Sequence, residues 1–137
     1  MGMYTALHFA ATLRADTPAS VLDTLHYMME PRRFPEAPYP DHPDHPLFHT
    51  DRWDIMLACD SYYFNADTHS VLRRGWDGHS SLSVTSNFKN YDGELDLFLD
   101  WITPYVAAYD GDWLGYHMYE EDEQPTLIFH PANKDLP

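Results

Sequence analysis

With 137 residues, 44% of them hydrophobic and 15% aromatic, the chain can bury a substantial core, which excludes an intrinsically disordered protein and points to one domain spanning 1–137. Asp and Glu number 22 against 8 Lys and Arg, and a formal charge of −14 repels phosphate backbones, so direct nucleic-acid binding is not expected. A single cysteine, Cys59, excludes an internal disulfide framework and fits a reducing, cytoplasmic setting, while no apolar stretch approaches about 18 residues, so no membrane span is expected.

Residues 3–13 are rich in β-branched, aromatic and apolar side chains and predict a first strand, central in its sheet. Thr17-Pro18 offers an N-cap followed by proline at the first helical position, and Val21, Leu22, Leu25, Met28 and Met29 then recur at helical spacing up to Pro31. Six prolines between 31 and 50 oppose any regular helix or strand and favour an extended, Pro/His-rich surface excursion. Residues 55–64 read as a strand apolar on both faces, and Asn65-Ala66-Asp67 turns it toward a second strand at 70–74. Asp77-Gly78 marks a tight turn before 82–88, where apolar residues alternate with Ser and Thr.

Asn90 or Asp92 caps a second helix that sends Leu95, Phe98, Leu99, Ile102 and Val106 inward and Glu94, Asp96 and Asp100 outward, with Pro104 ending or kinking it. A closing hairpin follows, with strands at 113–119 and 126–129. This order predicts an α+β fold, an antiparallel sheet with two helices on one face. It suits a ferredoxin-like split βαβ arrangement or a near relative with added strands. The expected core includes Leu22, Leu25, Leu57, Leu82, Val84, Leu99 and Ile102.

His42, His45 and His49, interleaved with Asp41, Asp44 and Asp51, are the nearest approach to a metal-ligand set. Pro43 and Pro46 hold that backbone extended, placing His42 and His45 about 9 Å apart along the chain, so they converge poorly on one ion and no metal is expected. Cys59 has no histidine beside it to make a thiolate and reads as a small buried hydrophobe. Asp60 interrupts an apolar run and calls for a partner such as Arg52, Arg73 or Arg74. Phosphate-binding glycine loops, G-x-S-x-G elbows and H-E-x-x-H signatures are missing, so no catalytic residue and no cofactor is assigned.

Arg52-Trp53 enters the strand expected to carry Tyr62 and Tyr63, while Asn87, Lys89 and Asn90 leave its neighbour for the second helix. These seven residues are therefore expected to meet at one rim of the sheet, with Trp53 and Tyr62 as aromatic anchors and Arg52 and Lys89 as positive charges that draw an anionic ligand or acidic patch.

Met1-Gly2-Met3-Tyr4-Thr5, Asp51-Arg52-Trp53, Ser61-Tyr62-Tyr63-Phe64, Lys89-Asn90-Tyr91-Asp92, residues 100–105 and residues 119–128 are scattered over nearly the whole chain. In these blocks the sequence resembles a family of small uncharacterised proteins encoded by bacteriophages and prophages. The histidines and prolines of residues 35–46 depart from that pattern. The resemblance implies a source and a fold-sized unit, but no reaction. It suits a phage accessory protein that binds a host protein or a small molecule to modulate host machinery or defence. Two other classes compete: an acidic nucleic-acid mimic that blocks a DNA-binding enzyme, and a small enzyme or nucleotide-binding domain using Asp60, Arg52 and Lys89 in a cleft.

Overall fold

Alternation of side chains builds the centre of the sheet, with both faces buried where residues 5–7 pair with residues 86–88. In β1 (Thr5–Leu13) Leu7, Phe9 and Leu13 are buried on one face, and in β3 (Ser80–Phe88) Leu82, Val84 and Phe88 join them. A computed structural model describes residues 3–29, 40–59 and 68–131, which form an α+β fold around a five-stranded antiparallel sheet. The remaining elements are α1 (Ala19–Met29), β2 (His69–Arg74), α2 (Glu94–Ile102), β4 (Trp113–Tyr119) and β5 (Thr126–Phe129), with strand order β2-β3-β1-β4-β5. β1 is central, and both β1 and β2 run antiparallel to the β3 strand between them.

Both helices bury their apolar stripes against the same sheet face. Val21, Leu25 and Met28 of α1 and Leu95, Phe98 and Ile102 of α2 belong to one core with the inward residues of β1 and β3. Phe9 and Phe98 meet edge to face at 5.9 Å. Each such fully buried side chain contributes about 1.5–3 kcal/mol. Leu22 and Leu99 flank these stripes and are only half-buried, whereas Leu25, Leu57, Leu82, Val84 and Ile102 lie fully in the core.

The helix ends differ from the expected caps. Thr17 Oγ1 donates to the Arg14 carbonyl at 2.6 Å and so closes a turn instead of accepting an N–H, and the Leu22 N–H donates to the Pro18 carbonyl. At α2 the N-cap position is Gly93, which has no side chain to cap with, and Asn90 Oδ1 from further back accepts the Leu95 N–H at 2.9 Å. Glu94, expected to face out, is fully buried because its carboxylate folds back over the helix start to accept the Asp92 N–H at 2.9 Å. α2 ends at Ile102, and Pro104 sits in the tighter 3-10 turn Thr103–Tyr105 that follows.

Residues 55–59 do not form the expected strand: Trp53–Ile55 is a 3-10 turn and the chain keeps turning through Met56 and Leu57. Trp53, Met56 and Leu57 stand at i, i+3 and i+4, so one helical face buries all three. The remainder of that expected strand and its turn at 65–67 lie outside the described residues. The proline-rich excursion also holds regular structure, since Pro46 starts a 3-10 turn, Pro46–His49, where a missing N–H costs nothing.

Among the described residues no helix packs on the sheet's other face, and there the His8 ring stacks on Tyr116 at 4.6 Å. Burial pushes the His8 imidazole below its ordinary value of 6.5, so the fold favours the neutral ring. Its contribution to stability is complete above about pH 6.5 and is lost as pH falls through the lowered folded-state value. Thermal denaturation at about pH 7.5 and about pH 5.5 should therefore show a smaller acid-induced loss for His8→Gln than for the wild type. An identical loss in both would place the acid sensitivity elsewhere.

Candidate functional site

β1 begins after Tyr4, β3 ends into Lys89 and Asn90, and the 3-10 turn Trp53–Ile55 begins after Arg52, all at one end of the sheet. Hydrogen bonds tie residues 56–59 to the end of β3. Ser86 Oγ donates to the Met56 carbonyl at 2.6 Å, the Cys59 N–H donates to Ser86 Oγ at 3.2 Å, and the Asn87 N–H donates to the Cys59 carbonyl at 2.9 Å. This clamp brings Arg52 beside Lys89, and the two line a cavity of about 170 Å³ with Tyr4, Ile55, Cys59 and Phe88.

Each cation rests on a tyrosine. The Arg52 guanidinium lies 4.9 Å from the Tyr91 ring centroid, and Lys89 Nζ lies 5.6 Å from that of Tyr4. Contacts of this kind hold a cation in place while leaving its hydrogen-bond donors available. Among the described residues neither Arg52 nor Lys89 forms an ion pair, whereas Arg14 is paired with Asp16 at 3.0 Å. The tyrosines are themselves anchored: Tyr91 Oη accepts from the Met3 N–H at 3.0 Å and Glu120 Oε1 accepts from the Tyr4 N–H at 2.8 Å.

The expected rim is thus assembled in part, and its members divide by role. Arg52 and Lys89, each half-buried, line the same cavity. Trp53 is not an exposed anchor. It is 5% exposed and packed against Phe48 at 4.9 Å, His42 at 5.4 Å and Tyr27 at 6.0 Å, because the turn that replaces the expected strand points it into the core. Asn87 is likewise fully buried, and Asn90 Oδ1 is engaged by the Leu95 N–H at the start of α2. Tyr62 and Tyr63, and the isolated Asp60, lie outside the described residues. Tyr4 and Tyr91 are not among the expected site residues: Tyr91 directly follows Asn90, whereas Tyr4 reaches Lys89 only through the pairing of β1 with β3, which the sequence does not display.

A neighbouring cavity of about 460 Å³ has the opposite character, lined by Asp96, Asp122, His117, Tyr91 and Tyr119. Desolvation, then the nearby Glu121 and Glu120, raise the Tyr119 phenol above its ordinary 10.0, and the Asp96 and Asp122 carboxylates give this cavity a negative lining. The histidines of the proline-rich segment do not converge either. His45 Nδ1 accepts from the Leu47 N–H at 3.0 Å, which places the proton on Nε2, 2.9 Å from Asp100, while the His42 ring stacks on Phe48 at 4.4 Å. Among the described residues no three His, Cys, Asp or Glu are grouped to hold a metal ion.

Comparison with known proteins finds no matching protein family, no similar characterised protein and no similar solved structure. Among the described residues no helix is long and apolar enough to cross a membrane.

Proposed function

We propose that the protein is a phage- or prophage-encoded accessory protein that acts in the host-cell cytoplasm by binding, and that its recognition element is the Arg52–Lys89 pair. The ligand is an anionic group, either an acidic patch on a host protein or a small anion. The observation that carries this reading is the shared cavity of two tyrosine-supported cations on a chain whose formal charge is −14. Surrounding carboxylates repel an anion at long range, but screening over about 8 Å at physiological salt leaves the local pair in control of close contact. In the same reading, β2-β3-β1-β4 is a ferredoxin-like split βαβ sheet to which β5 adds an edge strand.

The test is capture of host components on immobilised protein, quantified by mass spectrometry, for the wild type and the double variant Arg52→Ala/Lys89→Ala. Loss of both cations should weaken capture of its specific partner about tenfold or more while leaving the melting temperature nearly unchanged. Equal capture by both proteins would refute the role of the pair.

A further inference from the structure

The Arg52–Lys89 cavity differs from the rest of this acidic molecule in the make-up of its wall. Its six lining residues are all described, and they include no Asp or Glu. Beside the two cations stand Ile55, Phe88, Cys59 and Tyr4, on whose ring Lys89 rests, and a cysteine thiol packs as a small hydrophobe. Ile55 is 42% exposed and so still has apolar surface to bury.

Charge and size select among anions. A formal charge of −14 repels a ligand in proportion to its own charge, so a monoanion is admitted more readily than a phosphate monoester, which carries close to two charges. At about 30 Å³ for each water-sized group, a volume of about 170 Å³ holds roughly five or six non-hydrogen atoms. That is well short of the roughly 300–1,000 Å³ of sites for drug-sized ligands, and it excludes a nucleotide. A carboxylate matches the planar fork of Arg52 and accepts from the Lys89 ammonium as well, while an aliphatic stem behind it covers Ile55 and Phe88. Inorganic phosphate fits by size but has no apolar part, so it gives up hydration against that wall and gains nothing from it.

We infer, on the reading that the Arg52–Lys89 pair binds anions, that the ligand is a monocarboxylate on a short aliphatic stem, about six non-hydrogen atoms in all. A glutamate side chain presented by a partner protein and a free short-chain acid such as butanoate share that chemistry. Each methylene that the wall covers tightens binding about fourfold, the equivalent of about 0.8 kcal/mol.

The chain has three isoleucines, of which Ile102 and Ile128 are buried and Ile55 lines the cavity, so methyl NMR of the full chain reads the site at one residue. At constant ionic strength, sodium acetate, propanoate and butanoate should shift the Ile55 methyl saturably. Their dissociation constants should fall about fourfold per added carbon, about fifteenfold over the series, and longer acids should gain nothing further. Inorganic phosphate should bind at least about tenfold more weakly than butanoate, and Arg52→Ala/Lys89→Ala should abolish the butanoate shift. A capped tripeptide of glycine, glutamate and glycine separates the two sources: binding at least as tight as that of butanoate assigns the stem to a protein side chain, and weaker binding assigns it to a free acid. Affinity independent of chain length, or phosphate bound as tightly as butanoate, would overturn the inference and leave the anion-binding pair standing. No saturable shift with any of these anions, or a shift that the double variant keeps, would remove the pair itself and the inference with it.

Discussion

Trp53→Ala should destabilise the fold by about 3–5 kcal/mol, the range for truncating a large buried aromatic. The indole is 5% exposed and sits where three separate elements meet: it touches Tyr27 of α1 at 6.0 Å, Phe48 of the Pro46–His49 turn at 4.9 Å and His42 at 5.4 Å. Phe48 continues the cluster to Trp101 of α2 at 5.2 Å, so a void at Trp53 loosens the packing that joins both helices to the 46–57 segment. The loss is a large share of the roughly 5–15 kcal/mol typical of a whole domain. Urea denaturation gives the free energy, and Trp53→Phe, which keeps a ring in the site, should recover most of it. A loss below about 1 kcal/mol would return Trp53 to the surface role that its place beside Arg52 suggests.

Gly115→Ala should cost about 2–4 kcal/mol for a different reason, backbone collision combined with a strained dihedral. A Cβ at Gly115 would stand 1.9 Å from the His8 carbonyl oxygen and 2.9 Å from Phe9 Cα, and its φ of +151° is one that L side chains rarely adopt. Gly115 pairs with Phe9 beside a bulge that lets Leu114 turn into the core while Trp113 stays exposed on the face opposite the helices. Adding the methyl therefore forces β1 and β4 apart at the centre of the sheet. Gly111→Ala provides the comparison: φ is +89° there but nothing lies within 4 Å of the added carbon, so only about 1–2 kcal/mol of dihedral strain is expected. Equal effects at the two glycines would mean that the close approach of β1 and β4 is not what Gly115 serves.

The sheet was legible in the sequence wherever one face is buried and the other wet. Leu82 and Val84 among serines fix β3, and β4 and β5 fall where aromatic and β-branched runs meet turn residues, because a period of two has a single structural explanation there. The run from Trp53 to Cys59 was not legible as a strand pattern, since a short apolar stretch buried all round looks the same as a helical turn; only the spacing of Trp53, Met56 and Leu57 separates them. That misreading displaced the aromatic anchor of the site but not its charges, because Arg52 and Lys89 lie at element ends whose position depends on topology rather than on the type of element between. Helical phase alone points Glu94 outward, whereas at the first helical position the backbone N–H of Asp92 draws its carboxylate back inside.

Amide shifts of isotopically labelled protein, followed by NMR during titration with a short polyglutamate peptide, test the central proposal at the residues concerned. An anion-binding pair predicts saturable shifts at Tyr4, Arg52, Lys89 and Tyr91, weakening as salt rises and absent in Arg52→Ala/Lys89→Ala. Shifts that never saturate, or that fall elsewhere on the molecule and persist in the double variant, would contradict it.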